Sequence, residues 1–326
     1  MLWSGLGRHD APLTLLLGGA AEQNIRWGNM RVLFFGGFLN DTWSPIEQRY
    51  LWFQSESEED SSWIWVIETD NPKQDIAERN KRPIFAQRLD ALGADVRYWD
   101  VRPRNPIFTF RRIWKILKEV GPDVVYTHFG NSKIYLEIAA RLQGRIVIRG
   151  EHNFAFESFR RGKFLKRIYW RFVPNHFLAV SRAVATHLEL NGISNCKISI
   201  VYDGFDFHKH LSRNKEEDRN SLLCELDLPE DTKLLVCVAK LSRNKGQDIL
   251  IEMIKCLPRD DVFLLLVGED VEPDYTKSII ENLKSDARDR VCLLGYRNDA
   301  SRLMNAADIV YLPSRSEGLG NVVIES

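Results

Sequence analysis

The sequence predicts an α/β protein made of two parallel-sheet units in series, and three observations support this prediction. Its 326 residues suit two domains better than one. Short apolar segments alternate with amphipathic segments that end at glycine, which is the pattern of a parallel sheet covered by helices. A polar stretch at 207–231 interrupts this alternation, which then restarts, so the stretch is predicted to be a linker.

The first unit is predicted to begin at Met30 and to extend to residue 205. The segment MRVLFFGG has the pattern of a buried strand followed by a glycine turn, whereas residues 1–29 show no clear period and are expected to be a poorly ordered N-terminal extension. Further strands are predicted at 63–67, 94–100, 122–128, 145–150 and 177–181, and helices at 83–93, 110–121, 134–144 and after the last strand through Leu190.

The second unit is predicted to comprise residues 206–326. Strands are predicted at 233–241, 261–268, 290–296 and 308–314, and helices at 246–256, 274–284 and 299–306. Each apolar strand is followed by a loop and then by an amphipathic helix, so this sheet is also predicted to be parallel.

The composition excludes several functional classes. The 45 basic residues equal the 45 acidic ones, so the overall charge gives no sign of a nucleic-acid partner. The five cysteines show no C-x-x-C spacing, which disfavours a zinc site or a disulfide framework and favours a reducing, cytoplasmic location. The apolar stretch at 12–21 is too short to span a bilayer. No D-x-D triplet occurs, so a divalent-metal phosphate clamp lacks its usual signature and no metal site is expected.

Candidate site residues follow the predicted strands of the second unit, because ligands of parallel sheets bind at the carboxyl ends of strands. Lys240, Gly268 and Tyr296 stand at the carboxyl ends of the first, second and third strands, and Lys245 and Arg297 follow in the adjoining loops. Each alone has a structural explanation, such as a solvated lysine or a glycine that turns the chain. Together, the two lysines would bring two positive charges to one rim, which suits a nucleotide diphosphate whose charge grows as it leaves.

The last segment, SRSEGLGNVVIES, adds groups that suit phosphate and sugar. Gly318 and Gly320 would let backbone N–H groups approach an anion, and Asn321 would cap a helix whose positive end faces it. Glu325 would accept hydrogen bonds from ribose hydroxyls, and Glu317 from the hydroxyls of a sugar. In isolation, a glutamate near a helix start is more often a cap or a partner of the helix dipole.

This segment resembles the E-x7-E motif of the retaining group 1 glycosyltransferases, whose GT-B fold contains two Rossmann-like domains. Three further segments are similar to that family: AVSRAVATHLELNGISNCKISIVYDGFD, VAKLSRNKGQDILIEM, and the run from LLGYRND to the motif itself. The resemblance covers residues 30–326. It implies a GT-B architecture with an acceptor domain at 30–205 and a donor domain at 206–326.

The resemblance also implies roles for individual residues. His152 and Glu317 would be catalytic, with His152 facing the reacting sugar and Glu317 holding donor-sugar hydroxyls. Lys240 and Lys245 would hold the donor diphosphate, and Glu325 the ribose. The other implied donor-binding residues are Gly36, Gly37, Tyr296, Arg297, Gly318, Leu319, Gly320 and Asn321. No cofactor or metal is implied, because the nucleotide sugar is itself a substrate.

The sequence departs from the family pattern in three places. Arg149, Gly150 and Glu151 precede His152, where shorter and more apolar text is usual. Lys240 stands where arginine is frequent, and lysine lacks the planar fork that binds two phosphate oxygens at once. Asp203 stands where asparagine is common. Because the E-x7-E motif normally lies well inside the second domain, the chain is also expected to be truncated, with that domain incomplete.

Two other functions remain open at this point. A nucleotide-sugar epimerase shares the fold, and product analysis without an acceptor would distinguish it. A truncated nucleotide-sugar-binding remnant without activity would be stabilised by the donor but would not turn it over. A Rossmann dehydrogenase is disfavoured, because MRVLFFGGFLND contains no G-x-G-x-x-G motif.

A basic segment in the first unit suggests where an acceptor is met. FRRGKFLKRIYWRF, at 159–172, interleaves basic with aromatic and apolar residues, and Phe164, Ile168 and Phe172 form a stripe at helical spacing. Either this stripe packs on the sheet and the basic face is solvated, or the helix lies on anionic lipid headgroups. A second basic helix is predicted at 110–118. We therefore expect a cytoplasmic enzyme, peripheral on the inner face of the membrane, whose partners are a nucleotide-diphosphate sugar and a glycan or lipid-linked acceptor.

Overall fold

A computed structural model of the chain describes residues 30–36, 50–51, 54–55, 62–68, 84–99, 105–128, 130, 132–154, 163–203, 214–283 and 288–326, without the side chains of 84 and 163–166. The chain divides into two compact units, Met1–Gly204 and Phe205–Ser326. The predictions for residues 1–29, for Gly37 and for 159–162 lie outside the described residues.

The described residues of the first unit form a seven-stranded parallel sheet in the order β3-β2-β1-β4-β5-β6-β7. Its strands are β1 (Arg31–Gly36), β2 (Ser62–Glu68), β3 (Asp95–Trp99), β4 (Val124–Thr127), β5 (Ile146–Glu151), β6 (His176–Ala179) and β7 (Ile198–Ile200). Its helices are α1 (Ile84–Ala91), α2 (Pro106–Val120), α3 (Lys133–Leu142), α4 (Lys163–Phe172) and α5 (Arg182–Leu190). The alternation of strand and helix is confirmed, and β7 is an additional strand that the sequence did not predict.

Both faces of this sheet are buried, because apolar side chains occupy nearly every position of its central strands. In β1, Leu33 and Phe35 pack on one face against Ile113 and Leu117 of α2. Phe34, between them, points to the other face and belongs to a second, aromatic-rich core. The strand ends are therefore fixed by packing on two sides.

A buried ionic cluster joins β5 to the helices on one face. The guanidinium of Arg149 donates to Glu137 of α3 at 3.2 Å, to Glu151 on its own strand, and to the hydroxyl of Tyr169 in α4 at 2.9 Å. Burial alone would lower the pKa of Arg149, but the two carboxylates outweigh it and raise that pKa above its ordinary value. The cluster therefore fixes α3 and α4 to the sheet through a charge that has no access to water.

Helix α4 does not pack through the stripe that the sequence predicts. Ile168 and Phe172 are exposed, and the buried side chain is Trp170, which contacts the ring of Phe177. The guanidinium of Arg149 lies 5.5 Å from the centre of the Trp170 ring. A buried cation attracts aromatic faces, so α4 turns the side with Tyr169 and Trp170 to Arg149 and leaves Ile168 and Phe172 exposed.

The described residues of the second unit form a four-stranded parallel sheet in the order β10-β9-β8-β11. Its strands are β8 (Lys233–Val238), β9 (Val262–Val267), β10 (Val291–Gly295) and β11 (Ile309–Val310). Its helices are α6 (Lys215–Glu225), α7 (Gln247–Cys256), α8 (Pro273–Asn282), α9 (Ala300–Ala306) and α10 (Asn321–Glu325). The strand predicted at 308–314 is only two residues long, because the chain leaves the sheet after Val310.

The prediction of a linker at 207–231 is wrong in its second part, which forms α6. The side chain of Asn214 accepts hydrogen bonds from two backbone N–H groups of the first turn, and three acidic residues in that turn complement the helix dipole. Leu222 and Leu223 are the apolar residues that α6 buries. A polar helix with so few apolar residues lacks the periodic stripe that marks helices in sequence.

No helix in the part of the chain that the structure describes is long and apolar enough to cross a membrane.

Candidate functional site

In the second unit, the segment after β8 carries both lysines that the sequence selects. Lys240 lies just past the strand, and its Nζ is 3.8 Å from a carboxylate oxygen of Glu269, which follows β9. The backbone carbonyl of Lys240 accepts a 3.0 Å hydrogen bond from the buried side chain of Gln247. The backbone of Lys240 is thus held at the carboxyl edge of the sheet, while its side chain stays solvated.

The structure joins Lys245 to Glu317 in an ion pair between residues 72 positions apart. The two loops that carry them are linked by further bonds. The side chain of Asn244 donates to the carbonyl of Ser316 at 3.0 Å, and the N–H of Arg315 donates to the carbonyl of Asn244 at 2.7 Å. The loop after β8 and the loop after β11 therefore form one continuous surface.

A second ion pair fixes this surface to the helices behind it. Arg315 donates to both carboxylate oxygens of Asp248, at 3.0 and 2.7 Å, and Asp248 accepts a 2.7 Å bond from the hydroxyl of Tyr275 in α8. The bond from Arg315 holds the pKa of Asp248 below its ordinary range, and burial raises the pKa of Tyr275 to about 12. Asp248 therefore stays ionised and Tyr275 stays neutral across the physiological pH range.

Two glycines allow the backbone to pass close to itself at this edge. Gly246 has φ +73°, and a Cβ there would overlap the carbonyl oxygen of Pro313. Gly268 has φ +155°, and a Cβ there would overlap the carbonyl oxygen of Ala239. Any side chain would push the loops after β8, β9 and β11 apart.

The glycine-rich segment is only partly as expected. Gly318 is buried, Leu319 and Gly320 are half-buried, and a Cβ at Gly320 would lie 2.7 Å from the side chain of Leu312. The expectation that Asn321 caps a helix is wrong, because Asn321 is the first residue of the short helix α10 and Gly320 occupies the cap position. Glu325, near the end of α10, is half-buried, and burial raises its pKa.

Tyr296 and Arg297 lie after β10, as predicted, but in different environments. Tyr296 is 55% exposed. The guanidinium of Arg297 donates to both oxygens of Asp299, each at 2.8 Å, and to Glu225 of α6 at 2.7 Å. Arg302 of α9 donates to the same two carboxylates. Arg297 therefore links α6 to α9, and the sequence missed this network because it assigned Glu225 to the linker.

In the first unit, His152 lies directly after β5 and contacts a second histidine. The rings of His152 and His128 meet edge to face, with their centres 4.0 Å apart. The Nδ1 atom of His152 is 3.9 Å from a carboxylate oxygen of Asp203. The hydroxyl of Tyr50 lies 3.0 Å from Nδ1 of His128 and 2.9 Å from the hydroxyl of Tyr126. His152 is thus part of a packed aromatic and polar group, not an isolated loop residue.

Gly150 makes room for this group, because a Cβ there would lie 2.5 Å from the Tyr126 hydroxyl and 2.7 Å from Nδ1 of His128. The sequence analysis missed His128. This residue directly follows β4, so the rule that ligands of parallel sheets bind at the carboxyl ends of strands (the strand-end rule) would have selected it. Gly36, the last residue of β1, lies at the same edge of the sheet and pairs with Ile67.

Within each unit, then, separate sequence segments converge at the carboxyl edge. The second unit joins Lys245 with Glu317, and the first unit joins His152 with His128 and Asp203. The charged edge suits an anionic ligand that also carries hydroxyl groups. In the described residues no group of histidine, cysteine and acidic side chains could hold a metal ion.

Comparison with known proteins agrees with this geometry. Residues 218–326 match the family model of glycosyl transferases group 1, and residues 65–209 match that of glycosyltransferase family 4. A UDP-Gal:alpha-D-GlcNAc-diphosphoundecaprenol alpha-1,3-galactosyltransferase of Escherichia coli is 29% identical over 66% of this chain and 57% of its own length. The lipopolysaccharide glucosyltransferase WaaG of Escherichia coli K12 is 27% identical over 64% of this chain and 54% of its own length. The chain thus spans about half the length of these relatives.

Solved structures show the same fold. HepE from Anabaena, in complex with UDP and glucose, superposes with a TM-score of 0.69 at 21% identity, covering 91% of this chain and 77% of HepE. WaaG, a glycosyltransferase involved in lipopolysaccharide biosynthesis, superposes with a TM-score of 0.57 at 19% identity, covering 90% of this chain and 78% of that one. The two-unit α/β architecture is therefore the GT-B fold.

Proposed function

We propose that this chain, which belongs to the group 1 glycosyltransferases, transfers a hexose from a nucleotide-diphosphate sugar to a glycan or lipid-linked acceptor, with retention of configuration and without a metal ion. The donor would bind at the carboxyl edge of the second unit. The acceptor would bind to the first unit.

The pairing of Lys245 with Glu317 carries this proposal. An ammonium group beside closely approached backbone suits a phosphate, and a carboxylate beside it suits sugar hydroxyls. On donor binding, the diphosphate would replace Glu317 as the partner of Lys245. The released carboxylate would then accept hydrogen bonds from the donor sugar, while Lys240 adds a second positive charge.

The proposed reaction needs no carboxylate nucleophile. The bond between C1 of the donor sugar and the diphosphate oxygen breaks, and its electron pair stays on the diphosphate. The acceptor hydroxyl oxygen forms the new bond to C1 on the same face, and its proton passes to the departing phosphate oxygen. Lys240 and Lys245 would stabilise the negative charge that grows on the diphosphate, which favours the transition state over the ground state.

His152 is the residue of the first unit that we propose meets the reacting sugar. Its ring is held against His128 and lies near Asp203, so its orientation is fixed before substrate binds. A fixed imidazole suits a hydrogen bond to one sugar hydroxyl and fixes the position of the sugar ring.

The relatives indicate which substrates to test first. The galactosyltransferase relative acts, by its name, on UDP-galactose and a GlcNAc-diphosphoundecaprenol, and the HepE structure contains UDP and glucose. We therefore infer a UDP-hexose donor and a saccharide acceptor carried on a lipid diphosphate. Such an acceptor would place the enzyme in the cytoplasm, peripheral on the inner face of the membrane.

The test is a calorimetric titration with UDP and a panel of UDP-hexoses, followed by mass analysis of products with lipid-linked acceptors. We expect UDP and one UDP-hexose to bind, the mass of the acceptor to rise by one hexose in the presence of EDTA, and the new linkage to keep the donor's anomeric configuration. Absence of nucleotide binding would contradict the proposal.

Two outcomes would favour the other functions instead. A changed hexose that appears without acceptor would indicate an epimerase. Tight donor binding without any product across the acceptor panel would indicate a binding protein.

A further inference from the structure

The first turn of α2 presents two large apolar side chains to solvent. Ile107 is 73% exposed and Phe108 is 66% exposed. The side chain of Asn105 accepts hydrogen bonds from the backbone N–H groups of both residues, at 3.0 and 3.2 Å, and Pro106 occupies the first helical position. The turn is therefore well capped, and its exposed apolar residues are held in place by the helix itself.

Helix α3 adds a third apolar residue at the same level. The side chain of Gln143 donates a 3.0 Å bond to the carbonyl of Trp114, which ties the end of α3 to α2. Both helices follow strands of one parallel sheet and run in the same direction. Ile134 precedes Gln143 by nine residues, and Asn105 precedes Trp114 by nine. Because the two helices run in the same direction, Ile134 lies level with Asn105 along the helix axes. Ile134 is 43% exposed, so α3 also presents an apolar side chain to solvent at the level of the first turn of α2.

Basic side chains follow this apolar turn along α2. On α2, the exposed basic residues are Arg111, Arg112, Lys115 and Lys118. Among the described residues of α2 and α3, the acidic side chains are Glu119, at the far end of α2, and Glu137, which is buried and paired with Arg149. An apolar tip followed by positive charge is the arrangement of a segment that lies in an anionic membrane interface.

The position of this surface in the fold is also informative. In a parallel sheet each helix runs opposite to the strands, so the first turns of α2 and α3 lie at the carboxyl edge of the sheet. His128 and His152 follow β4 and β5 at that same edge. Phe172 is the last residue of α4 and therefore lies at the opposite edge of the sheet, away from His128 and His152.

We propose that the surface formed by Ile107, Phe108 and Ile134, with Arg111 and Arg112 beside it, docks on an anionic lipid bilayer. The apolar side chains enter the interface between headgroups and acyl chains, and the arginines contact lipid phosphates. This inference rests on the proposed function, because it places the edge with His152 toward a lipid-linked acceptor. It assigns the docking to the first turns of α2 and α3, and not to the C-terminal part of α4.

The test is sedimentation of the full chain with phosphatidylcholine vesicles that contain or lack phosphatidylglycerol. The double variant Ile107→Asp/Phe108→Asp removes the apolar contact, and Leu190→Asp is the matched control, since Leu190 is 78% exposed at the far end of α5. We expect the double variant to bind phosphatidylglycerol vesicles about tenfold or more weakly than the parent chain, and Leu190→Asp to bind like the parent. Arg111→Glu/Arg112→Glu should abolish the preference for anionic vesicles.

Three outcomes would overturn the inference: unchanged binding of the Ile107/Phe108 variant, an equal loss in Leu190→Asp, or dimers of the parent chain that form without lipid and dissociate in the double variant. The last would show that a second copy covers the surface. UDP titration of the same variants separates the two proposals. Unchanged UDP affinity with lost vesicle binding supports docking, whereas a parent chain that binds vesicles but not UDP contradicts the proposed function and leaves the docking surface standing.

Discussion

The carboxyl edges of the two sheets satisfy their polar groups in different ways. In the first unit, Tyr50, Tyr126 and His128 are buried and bond to one another through hydroxyl and imidazole groups. In the second unit, Lys240 and Lys245 extend from the edge and pair with carboxylates of neighbouring loops. Two sheets of the same kind thus end in one buried edge whose polar groups bond to one another and one edge that carries partly exposed cations.

This difference indicates that the two edges suit different parts of the substrates. A buried edge with fixed donors and acceptors orients hydroxyl groups before the substrate binds. A charged edge whose cations are only partly buried exchanges one anionic partner for another at low cost, because neither state leaves a buried charge unpaired. The first edge suits an acceptor and a sugar ring, and the second suits a diphosphate.

The largest expected effect concerns the stability of the first unit. Arg149→Met leaves the carboxylates of Glu137 and Glu151 buried without their cation, so we expect the free energy of unfolding to fall by about 3–5 kcal/mol. Arg97→Met, which breaks an exposed pair with Asp95, should cost about 0–1 kcal/mol. Urea unfolding followed by circular dichroism measures both, and similar losses in the two variants would contradict the buried-cluster account.

The next effect concerns the close approach of loops in the second unit. Gly246→Ala adds left-handed backbone strain and an overlap with the carbonyl of Pro313, so it should lower stability by about 1–3 kcal/mol and weaken UDP binding. Gly144→Ala is the control in the first unit, because it has a similar φ of +77° but nothing within 4 Å of the added Cβ. It should cost about 1 kcal/mol and leave UDP binding unchanged. Equal UDP affinity in the two variants would show that the loop contact does not shape the donor site.

Glu325 offers a test of the ribose contact and of its pH dependence. Glu325→Gln should weaken donor binding by about 1–3 kcal/mol, whereas Glu281→Gln on the exposed side of α8 should not. Burial raises the pKa of Glu325, so in the parent chain protonation should weaken donor binding at a pH above the ordinary glutamate pKa of about 4.3. Calorimetry over a pH series measures this, and an identical pH profile in Glu325→Gln would exclude the carboxylate from the site.

The smallest expected effect concerns how the stability of each unit changes as the pH falls. Burial, with a contribution from Lys197, lowers the pKa of His176 to about 4, while an unfolded histidine titrates near 6.5. The unfolded state therefore gains a proton first, and the first unit should lose stability as the pH falls from about 6.5 to about 4. His176→Gln should flatten that slope. In the second unit, the bond from Arg297 depresses the pKa of Asp299, so its stabilisation is lost only as the pH falls below the ordinary range for aspartate.

Much of this organisation is predictable from sequence, because central strands buried on both faces appear as apolar runs. The same reasoning fails where the stabilising interaction is not periodic. Helix α6 depends on the cap at Asn214 and on charged contacts, such as the 3.0 Å pair of Arg219 with Asp308, rather than on an apolar stripe. Strand β7 has only three residues, too few for a period.

The candidate site was likewise predictable in part. The strand-end rule selects Lys240, Lys245 and Glu317 correctly as neighbours of one edge, since topology alone brings these positions together. It does not predict that Glu317 pairs with Lys245, because loop geometry set by Gly246 decides that contact. The orientation of α4 was also unpredictable, because it depends on the buried cation of Arg149 in a different strand.

The central claim is that the charged edge of the second unit binds a nucleotide diphosphate. The most direct measurement is UDP affinity by calorimetry in Lys245→Ala, compared with Lys255→Ala at the other end of the same helix region, where the lysine pairs with Glu252 at 2.9 Å. Loss of a charged hydrogen bond is worth about 1.5–3 kcal/mol, so we predict that Lys245→Ala binds UDP about 10- to 150-fold more weakly and that Lys255→Ala binds it like the parent chain. Equal UDP affinity in both variants, or no UDP binding by the parent chain, would contradict the account.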